Sequence, residues 1–384
     1  MKRMLIVANG LEGGGAEKVL ITLINHLDPS QYDITLYSMI ACDQDRLFQS
    51  RSVRYFYFFE KSVPGDHWLR RFLKKLSNKL KLLIFENFPA HWFYRLFVSG
   101  QYDIEFAAIE GYATKVVSGS PNLTSRKIAW VHTDLLANHW TDIVFKRPEA
   151  EAQAYRRFDK IVCVSEQVKE SVVSLFGATE TAEVLSNPLD GDEIRQKSLE
   201  PFDMPSAVDG RIKIVSAGRL VEQKGYDRLL KIHKRLMEAG LKHDLWILGE
   251  GPQRSHLEGY IRQHHLEGSV RLLGFQANPY PYMKQCELFV CSSRAEGFST
   301  AVTEALILGL PVVATRCAGM QELLGAFNEI GIMTENNDDA LFEGIVSLLK
   351  DEKKRSLYKQ HAKERAKAFE LQSSIKAFEE VFLS

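Results

Sequence analysis

The chain has 384 residues, with 49 Lys and Arg against 49 Asp and Glu, a formal charge of zero and 45% hydrophobic residues. A length beyond the roughly 250–300 residues that one hydrophobic core sustains points to two domains. The composition excludes a disordered or collagen-like chain, and the balanced charge argues against a nucleic-acid partner bound through a global positive field.

The apolar run that opens the chain, Met4 to Ala8, stops after five residues, too short for the core of a signal peptide, and is expected to be a buried strand. Short apolar runs over 3–8, 33–38, 104–109, 127–131 and 160–164 alternate with longer amphipathic stretches, the pattern of βαβ units around a parallel sheet. No run reaches the roughly 18 apolar residues of a membrane-spanning helix. Five scattered cysteines, none in a CxxC pair, fit a reducing cytoplasm better than a disulfide framework.

After the first strand comes Gly10-Leu11-Glu12-Gly13-Gly14-Gly15-Ala16-Glu17. It departs from the dinucleotide fingerprint G-x-G-x-x-G because Lys18 stands where the third glycine belongs. Gly14 and Gly15 are therefore expected to line a binding cleft, where bare backbone can approach a phosphate or an acceptor. Asp43-Gln44-Asp45 is a DxD triplet, read as a solvated loop and not as a metal site. No His or Cys cluster has zinc spacing, so no metal is expected.

Residues 67–97 carry Arg70, Arg71, Lys74, Lys75, Lys79, Lys81 and Arg95 against the single acid Glu86, interleaved with aromatics including Trp68, Phe72 and Trp92. A basic amphipathic helix of this kind suits an anionic membrane surface, contacted through Arg70, Arg71, Lys74, Lys75 and Trp92. The competing reading makes Leu69, Phe72, Leu73, Leu76, Leu80 and Leu83 the core face of an ordinary helix with a solvated basic back. The two are compatible, and the membrane reading is preferred.

The strand at 127–131 runs into His132-Thr133-Asp134, which places His132 at the carboxyl end of a parallel strand, where open α/β sheets bind ligands. Turn formers between 186 and 210 then mark a linker over 191–210, separating a domain at 1–190 from one at 211–370. The strand pattern restarts at 212–218 and continues at 244–248, 269–273, 286–291 and 311–315.

The loop after the first of these strands contains Arg219 and Lys224, a fork and a point charge suited to a diphosphate. The strand near 286–291 leads into Glu296-Gly297-Phe298-Ser299-Thr300-Ala301-Val302-Thr303-Glu304. Glu296 falls in the loop at the strand's carboxyl end and Glu304 on the second turn of the next helix. The helix N-terminus at Ser299 and Thr300 offers N–H groups to an anion. Two acids beside an anion site make sense if they address hydroxyls of a sugar or ribose.

Gly218-Arg219 through Lys224-Gly225, Gly249-Glu250-Gly251-Pro252, Gly274-Phe275 and Glu296 to Glu304 follow one another as in the retaining GT-B glycosyltransferases of the large family 4 type. Gly14-Gly15 and Ser186-Asn187-Pro188 resemble that family too, so the likeness spans nearly the whole chain. It implies an α/β GT-B fold, two Rossmann-like domains with parallel sheets facing a central cleft, the first binding acceptor and the second a nucleotide sugar. It also implies that a C-terminal helix at 371–384, with Ile375, Phe378, Val381 and Phe382 at helical spacing, crosses back to the first domain.

By the same resemblance Arg219 and Lys224 hold the donor diphosphate, Glu304 bonds the ribose and Glu296 contacts the transferred sugar. Gly249, Gly274, Phe275, Gly297, Phe298, Ser299 and Thr300 complete the donor site, and His132 lies near the donor sugar. The implied partners are a nucleotide-sugar donor, UDP being the commonest among relatives, and a glycan or lipid-linked acceptor, with no cofactor and no required metal. Cell-surface polysaccharide biosynthesis at the inner face of the cytoplasmic membrane follows from the same likeness. An epimerase of the same fold or a non-catalytic carbohydrate-binding subunit are the alternatives. The sequence leaves oligomeric state, donor sugar and linkage open.

Overall fold

The computed structural model describes residues 1–11, 13–42, 48, 53–60, 67–205 and 210–383; Asp43 and Asp45 lie outside them. The chain divides into two compact units, Met1–Pro188 together with Gln372–Ser384, and Leu189–Leu371.

In the first unit seven strands are β1 (Lys2–Ala8), β2 (Tyr32–Ile40), β3 (Arg54–Phe59), β4 (Ile104–Ala107), β5 (Arg126–Val131), β6 (Lys160–Cys163) and β7 (Ala182–Val184). They form one sheet in the order β3-β2-β1-β4-β5-β6-β7, with every neighbouring pair parallel. The second unit repeats the plan with β8 (Ile212–Ala217), β9 (His243–Leu248), β10 (Val270–Gly274), β11 (Leu288–Cys291), β12 (Val312–Thr315) and β13 (Ile332–Thr334). Their order is β10-β9-β8-β11-β12-β13, again wholly parallel. Strands such as β1 and β9 are buried on both faces, which is why they read as continuous apolar runs and not as alternations. Strands β3, β7 and β13 are additions to the sequence reading.

Two segments differ from expectation. The stretch 191–210 opens with a helix, Gly191–Lys197, capped by Asp190 and belonging to the second unit, where a plain linker was expected. The helix Trp68–Asn87 does form, but its proposed core face is turned outward. Leu69, Phe72, Leu73, Leu76, Leu80 and Leu83 are each 47–59% exposed. The residues turned toward the protein are Lys74, Asn78, Lys81, Ile84 and Phe85, and three of these five are polar.

Asn78 exchanges two hydrogen bonds with the backbone of Glu60, at 2.9 and 3.2 Å, and Lys81 donates to the Phe58 carbonyl at 2.8 Å. Lys74, counted from the sequence among the membrane-facing cations, is instead 11% exposed and 3.4 Å from Glu60. Amphipathic spacing reports that a helix has two faces, and the polar grip of Glu60 and Phe58 decides which one points in.

The last helix, Leu371–Leu383, packs within the first unit. Ile375, Phe378, Val381 and Phe382 are buried, Phe382 lies edge-on to Phe106 and Phe378 to Trp130, and Arg126 donates to the Val381 carbonyl at 2.8 Å.

Candidate active site

In the second unit the chain leaves β8 for β9 on one side, while β11 lies on the other. Helices after such strands depart to opposite faces and open a crevice at the strands' carboxyl ends. The loop Gly218–Gly225 follows β8, and Ser292–Ser299 follows β11.

These loops are laced together. Arg294 N donates to the Gln223 carbonyl at 2.7 Å, Gln223 Nε2 to the Ala295 carbonyl at 2.9 Å and Ser292 Oγ to the Lys224 carbonyl at 3.0 Å. Arg294 also holds Asp227 through two bonds of 2.8 Å, a fork geometry that keeps the Asp227 carboxyl below its usual range. Gly225 makes the approach feasible. Its φ of +66° is left-handed, and a Cβ there would stand 2.1 Å from the Ser292 carbonyl oxygen.

This lacing brings Lys224 and Glu296 into one ion pair, with Nζ 2.7 Å from Oε1 and 2.9 Å from Oε2. Glu296 is 7% exposed and Lys224 22%. Ser293 Oγ adds a 2.5 Å hydrogen bond to the same carboxylate. Burial pulls the Lys224 ammonium down, but the Glu296 carboxylate outweighs it, so the group titrates above its ordinary value despite repulsion from Arg219. Lys224 is therefore a fixed cation. Arg219 is exposed.

Ser299 caps the helix Thr300–Ile307, its Oγ accepting from Val302 N at 3.4 Å. Gly297 is buried, while Phe298 and Thr300 keep partial exposure. Glu304 is buried and accepts from the Tyr280 hydroxyl at 3.3 Å. Gly249 and Gly274 tie the neighbouring strand ends, Gly249 N donating to the Gly274 carbonyl at 2.8 Å. Phe275 beyond them is 62% exposed. Thus Lys224, Glu296, Ser299 and Glu304 belong to consecutive turns of one crevice in the second unit. Ser293 and Tyr280 join them without having been singled out from the sequence.

In the first unit the switch in strand order falls between β1 and β4. A small pocket there is walled by Ala8, Asn9, Gly10, Ala16, Glu17, Leu20, Ala108 and Ile109, and the buried Asn9 Oδ1 has no hydrogen-bond partner among the described residues. Gly14 caps the helix that Gly15 begins, one residue before the pocket wall at Ala16. A Cβ on Gly14 would fall 1.9 Å from the Glu17 carboxylate.

His132 emerges from β5 beside Ala108. Its backbone N–H donates to Glu110 Oε2 at 2.8 Å, and Glu110 Oε1 accepts from the Trp140 indole at 3.0 Å. The Trp140 ring lies 2.6 Å from where a Cβ of Gly111 would stand, so only glycine fits beneath it. His132 Nε2 is 3.2 Å from the Ala108 carbonyl. A carbonyl only accepts, so Nε2 carries the proton and Nδ1 offers a lone pair. Burial pushes the imidazole pKa down to about 4, against an opposing pull from the Glu110 carboxylate, and the ring is neutral near pH 7. Trp130, 4.4 Å from the imidazole, is itself backed by Phe378 of the last helix. Glu110 and Trp140 were not read as site residues.

Among the described residues one group has the makings of a metal site, His139, Asp142 and Glu151. Its imidazole already has Nε2 2.9 Å from Glu151 and Nδ1 3.7 Å from Asp142, the geometry of a histidine held between two carboxylates.

Comparison with known proteins adds a family to this geometry. Residues 202–365 match the model of glycosyl transferases group 1 and residues 13–193 that of Glycosyltransferase Family 4. The chain is 32% identical over 375 residues, 96% of each chain, to N-acetylgalactosamine-N,N'-diacetylbacillosaminyl-diphospho-undecaprenol 4-alpha-N-acetylgalactosaminyltransferase of Campylobacter jejuni. It superposes on Anabaena HepE, solved with UDP and glucose, with TM-score 0.76, 19% identity and full coverage of both chains. S. aureus TarM, solved with UDP, gives TM-score 0.74 at 13% identity, also over the whole of both chains.

Proposed function

The chain belongs to the group 1, family 4 glycosyltransferases of GT-B fold, and on that premise we propose that it moves a sugar from a UDP-sugar to a hydroxyl of a lipid-linked glycan with retention at the anomeric carbon. The observation that carries the reading is the Lys224–Glu296 pair at the carboxyl edge of the second sheet, next to a capped helix N-terminus. In this reading Arg219 and Lys224 take the diphosphate, Glu304 the ribose hydroxyls and Glu296 a hydroxyl of the transferred sugar. Gly249, Gly274, Phe275, Gly297, Phe298 and Thr300 shape the rest of the donor site.

During transfer the bond from C1 to the diphosphate oxygen breaks, the acceptor oxygen bonds C1 on the same face, and the hydroxyl proton leaves with the diphosphate. Fixed cations and helix N–H groups stabilise the departing charge most where they need not reorganise. The neutral His132 suits a hydrogen bond to a sugar hydroxyl, and Gly14 and Gly15 suit an acceptor at the first-unit pocket. The likeness to an enzyme named for an undecaprenol diphosphate glycan supports a lipid-linked acceptor, and with such an acceptor our reading is of an enzyme that works at the cytoplasmic face of a membrane in cell-surface glycan assembly.

Purified enzyme should be stabilised and turned over by one member of a UDP-sugar panel when given a polyprenyl-diphosphate glycan, and NMR of the product should show the donor's anomeric configuration. An inverted product would overturn retention, and epimerised UDP-sugar without transfer would overturn the reaction class. The same cations make a divalent metal unnecessary. EDTA-treated enzyme is expected to keep its activity, and the Asp43→Asn, Asp45→Asn double variant to match the wild type. Loss on chelation with rescue by Mn²⁺ would overturn this.

A further inference from the structure

The loops that follow β11, β12 and β13 meet at one side chain. Asn336, in the loop after β13, donates through Nδ2 to the Arg294 carbonyl at 2.9 Å and to the Arg316 carbonyl at 3.2 Å, and its Oδ1 accepts from Arg228 Nη1 at 2.8 Å. Carbonyls only accept and a guanidinium only donates, so the amide has one workable orientation. Arg228 is buried on the first turn of the helix Tyr226–Glu238, directly after the Lys224 loop. Its neighbour Asp227 takes the Arg294 guanidinium. Because β8, β11, β12 and β13 stand side by side in the sheet, this one amide joins the carboxyl ends of four neighbouring strands.

The joined loops carry Glu296. Thr315 Oγ1 donates to the Ser293 carbonyl at 2.5 Å and Cys317 Sγ lies 3.4 Å from it, while Ser293 Oγ bonds the Glu296 carboxylate. Gly319, at φ +74°, seats the next turn: a Cβ there would stand 2.7 Å from the Gly297 carbonyl oxygen. Asn336 itself is exposed, so its amide is spent on loop backbone and not on a core.

We propose that Asn336, anchored by Arg228, is a positioning residue of the donor site: it pins the loop that carries Glu296 to the loop after β12, so that the carboxylate meets the donor sugar in one orientation. The inference rests on the donor-site reading above. Lys224 and Ser293 hold the carboxylate by its oxygens. The backbone that delivers it is held two residues earlier, at Arg294, by Asn336 on one side and the Gln223 carbonyl on the other. Removing the amide frees the Arg294 and Arg316 carbonyls from each other and leaves Arg219 and Lys224 on their own loop. Turnover is sensitive to small misplacements of an orienting group, so the effect falls on the chemical step and not on nucleotide binding.

The test is a double-mutant cycle between Asn336 and Glu296 on the full chain, reading kcat for UDP-sugar turnover, UDP affinity by calorimetry and melting temperature. Asn336→Ala is expected to lower kcat about tenfold, with UDP affinity within about twofold of wild type and the melting temperature unchanged because the residue is exposed. Asn336→Asp keeps the acceptor for Arg228 but loses both donors, and should fall at least as far. In a Glu296→Gln background Asn336→Ala should cost less than about twofold, since a residue that acts through Glu296 then has nothing left to position. An equal loss in both backgrounds, or wild-type kcat in Asn336→Asp, would overturn the proposal. So would a fall in kcat matched by falls in UDP affinity and melting temperature, which is what a purely structural amide produces. Wild-type turnover by Glu296→Gln would take down the assignment of Glu296 and this inference with it, whereas a crippled Glu296→Gln beside a silent Asn336→Ala would sink this inference alone.

Discussion

Lys224 and Glu296 carry full and opposite charges 2.7 Å apart at the edge of the second sheet, while His132, at the same edge of the first sheet, is held neutral with its pKa near 4. Both sit on the same architecture, a loop leaving a parallel strand, yet one loop stores charge and the other removes it. The means differ as well. The charged pair is fixed by neighbours a few residues away on two loops, Ser292, Ser293 and Arg294 against Gln223 and Lys224. The neutral histidine is fixed by residues from separate elements: its ring by the Ala108 carbonyl, and its backbone N–H by Glu110 after β4, which Trp140 holds in turn. A parallel sheet positions backbone; whether a loop faces a phosphate or a hydroxyl is settled by what closes behind it.

Breaking the charged side should have the largest effect. Lys224→Ala and Arg219→Ala are each expected to lower kcat by about 10²–10³, as for a lost oxyanion-type donor, with Lys224→Ala the more severe because it also leaves Glu296 buried without its cation. Steady-state kinetics beside thermal melts would check this, and near wild-type turnover in both would remove these residues from the reaction. On the neutral side, Glu110→Ala leaves the Trp140 indole and the His132 N–H without their acceptor, at about 1–3 kcal/mol of stability for each that stays buried. Urea melts measure that cost. A loss of activity beyond it, restored in part by Glu110→Gln, would identify Glu110 as the residue that positions His132.

Acidification sharpens the contrast least abruptly and over the widest range. Within the second unit His233 and His243 are buried side by side, Nδ1 to Nε2 at 2.8 Å, with Ser269 and the Leu241 carbonyl at the ends. Burial lowers both pKa values, that of His233 to about 3. Unfolded imidazoles accept protons near pH 6.5, so the unfolded chain gains protons first as pH falls. The stability these histidines and His132 contribute is fully present above about pH 6.5 and is lost progressively as pH drops toward 3. Melting temperature should therefore decline from pH 6.5 to 4. The His233→Asn, His243→Asn double variant should flatten that decline.

The sequence made the second-unit site readable because its members are close together: Arg219 and Lys224 share one loop, and Glu296 to Glu304 share the next loop and helix. Ser293 and Tyr280 escaped because a hydroxyl beside a carboxylate leaves no periodic or charge signature. Glu110 and Trp140 escaped because their partnership spans 30 residues and a sheet edge. Of the strands, β7 and β13 have only three residues each. The run Tyr55–Phe59 within β3 is aromatic throughout, with no alternation to mark its faces, and the strand lies at the sheet edge. The helix Trp68–Asn87 was legible as a helix, but its orientation depended on Glu60 and Phe58, which no helical period contains.

The last helix has a consequence for biosynthesis. Because Gln372–Ser384 belongs to the first unit while Leu189–Leu371 forms the second, the second unit is an insertion within the first. During translation the sheet of residues 1–188 emerges with the apolar seat formed by Tyr32, Phe106 and Trp130 still empty, and Phe378 and Phe382, which fill it, are made only after the whole of the inserted unit. The inserted unit has all its strands before that point and can complete its core first. The ribosome thus delivers the keystone of the earlier-made domain only after the inserted one, and a chain released short of it leaves that seat open to water, chaperones or another nascent chain.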